Sequence, residues 1–243
     1  MELTFDDFKS RANDPNLTQW EKIGFPDSYR KDSEELILKD ILHKLSIKDV
    51  SKPGLKVLDI GCGCSNLVKM LIKHCNEYNH LLFLNDSKEM LCNIPSEVIK
   101  TLNGDLMPGK FPEDFKNNTL SFDAIIVYSV IQYPYIESNI YSFLHSCINL
   151  LVPGGKLLIG DIPNVSKRER FLKSSEGEKF KKNKLNLNTS VIMNHDAEER
   201  IDDAIIFSIM QRFRSFNCET YLLPQPNSLP FANRREDILI IKR

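Results

Sequence analysis

Five short apolar runs, each parted from the next by a stretch with helical spacing, constrain this chain more than any other feature. They are "LKVLDI" (55–60), "LLFLN" (81–85), "VIKTL" (98–102), "FDAIIVYS" (122–129) and "KLLIGD" (156–161). Runs of four to eight residues that are apolar at odd and even positions alike predict strands buried on both faces. Between them, "SNLVKMLIKHC" (65–75) and residues 137–151 place apolar side chains three and four apart, the spacing of amphipathic helices. A further short helical piece is expected from Ser87. This alternation predicts an α/β sandwich built on a mostly parallel sheet with helices on both faces. "CETYLLP" (218–224) and "DILIIK" (237–242) bring the expected strands to seven, the C-terminal one antiparallel.

One domain is expected over residues 1–243. Residues 1–50 form a helical N-terminal extension that carries Phe5, Phe8, Trp20, Phe25 and Tyr29 and ends in the helix "DSEELILKDILHKL". Residues 53–163 form the core, and 164–195 are a polar, basic insertion after the fifth strand. Residues 196–243 supply a helix, from about Asp196 to Phe213, and the last two strands. Lys and Arg number 32 against 33 Asp and Glu, so no global basic field favours nucleic acid. The longest apolar runs are too short to span a membrane, and "MELTFDDFKS" lacks an export signal, so a cytoplasmic protein is expected. The six cysteines are scattered through apolar segments and are expected to be buried free thiols.

The loop after the first strand, "KVLDIGCGCSNL", raises the functional question. Cys62 and Cys64 form a C-x-C pair with no second pair at zinc-site spacing and no histidine completing a set, so no metal is expected. A dinucleotide fingerprint needs a third glycine where Asn66 stands, and a phosphate-binding Walker loop needs Gly-Lys-Ser/Thr. Gly61 and Gly63 still permit positive φ and remove side chains where a ligand would approach the backbone. In parallel sheets the ligand lies beyond the carboxyl ends of the strands, here 59–63, 85–86, 103–105, 128–129 and 161.

"VLDIGCGCSNL" resembles the first motif of the class I S-adenosylmethionine-dependent methyltransferases, and further motifs follow in that family's order: "LLFLNDSKEML", "NGDLMPGKFP", "FDAIIVYSVIQY" and "LLVPGGKLLIGD". The resemblance covers about residues 53–163. It implies a Rossmann-like fold and S-adenosyl-L-methionine as cofactor, leaving as S-adenosyl-L-homocysteine. Asp59 would face the ligand's ammonium end, directly or through water, with Gly61, Cys62 and Gly63 around the methionine part. Asp86 would hold the ribose hydroxyls, with Asn85 the alternative and Ser87 beside them; Asp86 could instead cap the helix that follows. Asp105 would face the adenine amino group with Leu106 next to it, and Tyr128 would close the cofactor site.

"GDIPNVSKRERF" and "LPQPNSLPFANRREDILI" resemble a subgroup of bacterial methyltransferases found among surface-polysaccharide (capsule and O-antigen) biosynthesis proteins, as do "EKIGFPDSYR" and "ERIDDAI". That implies O-methylation of a small acceptor: a sugar, sugar nucleotide or other phosphorylated precursor. Another small metabolite, or a cofactor-binding protein without turnover, is the alternative. Topology brings Lys167, Arg168 and Arg170 toward Arg234 and Arg235, which could clamp a phosphate or carboxylate. Ser129 and Tyr133 are expected to line the acceptor pocket. Asp161 is the first candidate for a general base and His195 the second. Trp20, Tyr29 and Arg30 are expected in an N-terminal lid.

Overall fold

The computed structural model describes residues 3–47, 53–115, 118–185 and 201–243. Four helices precede the sheet: α1 (Phe5–Asn13), α2 (Gln19–Lys22), α3 (Asp27–Arg30) and α4 (Glu34–Leu45). The first two start on reciprocal caps, Thr4 with Asp7 and Thr18 with Glu21, in which each side chain satisfies an amide the helix leaves open. Then come β1 (Lys56–Ile60), α5 (Asn66–Glu77), β2 (Leu81–Asp86), α6 (Lys88–Leu91), α7 (Ser96–Ile99), β3 (Gly104–Pro108), β4 (Phe122–Tyr128), α8 (Gln132–Glu137), α9 (Ile140–Asn149) and β5 (Leu151–Pro163). The chain ends with α10 (Val165–Leu172), α11 (Ser175–Leu185), α12 (Asp203–Arg214), β6 (Cys218–Pro224) and β7 (Arg235–Lys242).

The seven strands make one sheet in the order β3-β2-β1-β4-β5-β7-β6, with β7 antiparallel to both neighbours and every other pairing parallel. This is the Rossmann-like, mostly parallel sheet expected. Successive strand residues face opposite sides and so feed two cores. Leu58, Ile125 and Val127 pack with Phe143, Leu144, Ile206 and Phe213 on one face; Val57, Ala124 and Ile126 pack with Ile37, Ile41, Val68 and Leu71 on the other. The strand order reverses direction between β1 and β4, which opens a crevice at their carboxyl ends.

Three expectations need correction. "VIKTL" is no strand: Pro95 starts the short α7, and β3 begins only at Gly104, where pairing with Leu82 sets in. The helix expected over 137–151 is broken at Ser138, because Asn139 accepts hydrogen bonds from the amides of Tyr141 and Ser142 and caps a new helix. The insertion folds, where described, as α10 and α11. Cys92 is exposed and Cys62 half-buried; the other four thiols are buried, and all six are free. Of the helix expected from Asp196, residues 196–200 lie outside the described residues, and α12 runs from Asp203.

Candidate active site

A cavity open to solvent occupies the crevice at the ends of β1, β2 and β4. Gly61, Cys62 and Gly63 form its floor, Asp86 one side and Ser129 and Tyr133 the far end. Its roof comes from the N-terminal helices, through Phe5, Phe8, Ile23, Phe25 and Arg30. Of the three residues expected in an N-terminal lid, only Arg30 lines the cavity: Trp20 is buried away from its lining, and Tyr29 packs edge-on against Phe231.

The floor holds its shape by backbone contacts that only glycine allows. Gly61 and Gly63 have φ of +71° and +66°, and a Cβ on either would come within 2.5 Å of Val130 or 2.7 Å of Ile23. The amides of Gly61 and Cys62 donate to the Asn85 carbonyl at 2.8 and 3.2 Å. The Gly63 amide donates to Asp86 Oδ2 at 2.9 Å.

Asn85 and Asp86 now separate. The Asn85 side-chain amide donates to the carbonyls of Met107 (2.8 Å) and Gly109 (2.9 Å), so it braces β3 against β2. Asp86 turns its carboxylate to the cavity and accepts from the Gly63 and Ser87 amides. The helix cap falls to Ser87, whose hydroxyl accepts from the Met90 amide at 3.1 Å. Burial pushes Asp86 up to about 6, against the pull of those two amides. Asp59 is buried next to it; burial first, and then the charge of Asp86, push it up to about 7. No hydrogen bond or ion pair satisfies the Asp59 carboxylate among the described residues. A buried acid without a donor fits a cationic ligand group, and the glycine cradle fits a ligand laid along the backbone, so these residues fit S-adenosylmethionine.

Asp105 is not where the motif order put it. It is the second residue of β3, exposed, and accepts only from the amide of Leu106, which packs against the second core. Because β3 starts at Gly104, its carboxyl end falls at Pro108, and Lys110 and Phe111 reach the cavity in place of Asp105.

The far end is a buried polar network. Ser129 Oγ donates to Asp161 Oδ2 at 2.5 Å and accepts from Arg30 Nη2. Arg30 also lies 3.6 Å from Asp161 and is stacked over Phe25 (4.3 Å) and Tyr128 (5.6 Å). Gln225 Nε2 donates to Asp161 Oδ1 (3.3 Å) and Asp237 Oδ1 (3.1 Å), and the Asp161 amide donates to Asp237 Oδ1 at 2.8 Å. Lys44 closes the chain on Asp237 (2.7 Å) and Asp40 (2.5 Å). Ser129 and Asp161 have φ of +60° and +57°, strain of about 1–3 kcal/mol each that persists only where surrounding contacts enforce it. Ser129 faces the cavity, whereas Asp161 stands behind it, against a separate small cleft. Burial pushes the Tyr128 hydroxyl well above its usual range, so it stays a phenol.

The basic residues do not act as one clamp. Lys167 reaches Glu236 and the Arg235 carbonyl, Arg170 pairs with Asp203, and Arg235 reaches Asp161. None of the five lines the cavity. His195 lies outside the described residues. Gln225, Asp237, Lys44 and the phenylalanines of the roof were not legible as site residues: each is ordinary in its local stretch and is brought in from a distant one. Arg30 had a weak signal in "EKIGFPDSYR" but no partner that could be read from spacing.

Residues 57–155 match the family model described as methyltransferase domain. No curated protein matches the chain in sequence. Among solved structures it resembles the N-methyltransferase NodS from Bradyrhizobium japonicum WM9 in complex with S-adenosyl-L-homocysteine, at 12% identity and a TM-score of 0.58, covering 100% of this chain and 99% of that one. The plantazolicin methyltransferase BamL, in complex with a triazolic desmethylPZN analogue and S-adenosylhomocysteine, matches at 12% identity and 0.54, covering 98% and 97%. The CurJ carbon methyltransferase matches at 15% and 0.59, covering 97% of this chain and 63% of that one.

Proposed function

We propose that the chain, with a methyltransferase domain at its core, is an enzyme that uses S-adenosylmethionine and methylates a hydroxyl of a small carbohydrate-related acceptor held at Ser129. The observation that carries this reading is the Ser129–Asp161 pair: a hydroxyl on the cavity wall hydrogen-bonded at 2.5 Å to a buried carboxylate. The cofactor supplies a methyl group already activated on a sulfonium, so the protein's task is to align the acceptor, exclude water and take one proton.

Asp59 and Asp86 carry the cofactor's polar ends, and Gly61 and Gly63 let it lie on the backbone. The phenylalanines of the roof exclude water and offer flat apolar faces to the C–H groups of a sugar ring. Asp161 cannot meet the acceptor directly, so the acceptor's proton moves to Ser129 Oγ while the Ser129 proton moves to Asp161 Oδ2. Arg30, donating to Ser129 and 3.6 Å from Asp161, fixes the geometry of that pair. The carbohydrate class, and a role in making surface polysaccharide precursors, is supported by the sequence resemblance of residues 160–171 and 223–240.

The test has two steps. Calorimetric titration with S-adenosylhomocysteine should show one site, weakened at least tenfold in Asp59→Ala. Transfer of labelled methyl from S-adenosylmethionine should then be screened over sugars, sugar phosphates and sugar nucleotides. An acceptor whose methylation is lost in both Ser129→Ala and Asp161→Asn, with S-adenosylhomocysteine binding kept, supports the relay. Full turnover in Ser129→Ala removes it.

A further inference from the structure

Five basic side chains gather where the insertion after β5 meets the β6–β7 loop, and their pairing is uneven. Lys167, Arg170 and Arg235 each have an acidic partner, Glu236, Asp203 and Asp161 in turn. Arg168 and Arg234 have no ion pair among the described residues. Both Arg235 and Arg168 lie close enough to disfavour the charge on Arg234, which burial disfavours as well. Gathering like charges in a partly desolvated place costs stability. Asp161 offsets part of that cost but is already engaged by Arg30, Arg235 and Ser129, so an added anion at Arg234 and Arg168 would relieve the rest.

The presentation of Arg234 is braced. The Arg234 amide donates to the Phe231 carbonyl at 2.9 Å, and the Arg234 carbonyl accepts from the Asn164 amide at 3.1 Å. Asn164 caps α10, and Arg168 lies one turn along that helix, so the two arginines belong to one corner. The Arg234 guanidinium stands 4.5 Å from the centre of the Phe231 ring and 6.0 Å from that of Phe180. Stacking on a ring leaves the in-plane N–H groups of a guanidinium free to donate. Phe231 also closes the small cleft behind Asp161, and that cleft shares Arg30 and Tyr128 with the cofactor cavity. One layer of side chains therefore separates this corner from Ser129.

We propose that Arg234 and Arg168 form an anion subsite, floored by Phe231, that binds the phosphoryl group of the acceptor. Two guanidinium forks suit a phosphate dianion with three free oxygens, whereas a single carboxylate would fill only one of them. The subsite stands on its own geometry; its assignment to the acceptor rests on the methyltransferase reading above.

The test is calorimetric titration of inorganic phosphate, and separately of glucose 1-phosphate, into the full chain with and without saturating S-adenosylhomocysteine. Arg234→Ala, Arg168→Ala and the charge-keeping Arg234→Lys are compared with a Lys181→Ala/Lys182→Ala control on the exposed face of α11. Saturable one-to-one binding is expected, weakened about tenfold in each alanine variant, partly restored in Arg234→Lys and unchanged in the lysine control. Tighter binding of the ester than of free phosphate supports an acceptor subsite; equal or weaker binding of the ester means that the site does not read the acceptor and overturns that assignment. Absence of saturable binding, or equal loss in the lysine control, overturns the subsite itself. Phosphate binding by a chain that fails to bind S-adenosylhomocysteine would leave the subsite standing and remove the methyltransferase reading, so the two fail separately.

Discussion

The two ends of the cavity hold their charges in opposite ways. At the glycine-loop end, buried Asp59 and half-buried Asp86 stand together with no basic side chain on either among the described residues, and both are pushed up toward neutrality. At the Ser129 end, Asp161, Asp237 and Asp40 are buried too, yet Arg30, Lys44, Arg235, Gln225 and Ser129 are paired with them, although burial still pushes Asp237 above the usual carboxylate range against the pull of Lys44. The first end is incomplete without a cationic ligand. The second has cationic and hydroxyl partners of its own and holds the Ser129 hydroxyl in a fixed place. A carboxylate's partners thus separate a binding group from a positioning group better than its burial does.

If that contrast is right, removing a charge should have opposite effects at the two ends. The largest effect is expected for Lys44→Met. It strands Asp40 and the fully buried Asp237 without a cation, and should cost about 3–5 kcal/mol in denaturant unfolding. A loss below about 1 kcal/mol would mean that the acceptor-end network is not held by charge.

Gly61→Ala comes next. The added methyl meets Val130 at 2.5 Å on a backbone with φ of +71°, so S-adenosylhomocysteine affinity should fall about a hundredfold or more while the fold survives. Calorimetry together with a melting curve separates the two.

Asp59→Asn should do the reverse of Lys44→Met. At pH 8 it should stabilise the free protein by about 1–3 kcal/mol, because an ionised buried acid is removed, while weakening S-adenosylhomocysteine at least tenfold. Destabilisation instead would reveal a partner for Asp59 and erase the contrast.

A pH series sharpens the same point. Both acids are pushed up, to about 7 and about 6, above the ordinary carboxylate value of 3.8. The native state therefore binds more protons than the unfolded chain, and this contribution to stability, full below pH 4, is lost as pH rises to about 7. Affinity for S-adenosylhomocysteine should rise over the upper part of that window, since its ammonium favours the ionised acids, and binding at pH 6 should release protons. Asp59→Asn should flatten both profiles.

The smallest effect is expected at Arg170→Ala. Its pair with Asp203 is solvent-exposed, so unfolding should shift by less than about 1 kcal/mol.

Much of the fold was legible because it rests on local pattern. Four of the five core strands, the two after the insertion and the helix after the glycine loop came from runs whose apolar spacing leaves few alternatives. "VIKTL" misled because a short apolar run suits a strand or a buried helical turn equally, and only Pro95 and the pairing of Leu82 with Gly104 decide it. The misplacement of Asp105 followed from that one shift. The ambiguity between Asn85 and Asp86 was real in sequence: adjacent strand residues point to opposite sides, and register alone tells which faces the ligand.

What the sequence determined by itself, then, was the α/β alternation, the glycine cradle at 61 and 63 and the presence of acids at strand ends. These depend on periodicity and backbone freedom, which are properties of neighbouring residues. Only the tertiary structure decided which acids are satisfied and which are not. Arg30 reaches Ser129 across 99 positions of sequence and Lys44 reaches Asp237 across 193, and no local pattern encodes such a pairing. A charge's chemistry is set by what surrounds it in space, and here the surroundings come from opposite ends of the chain.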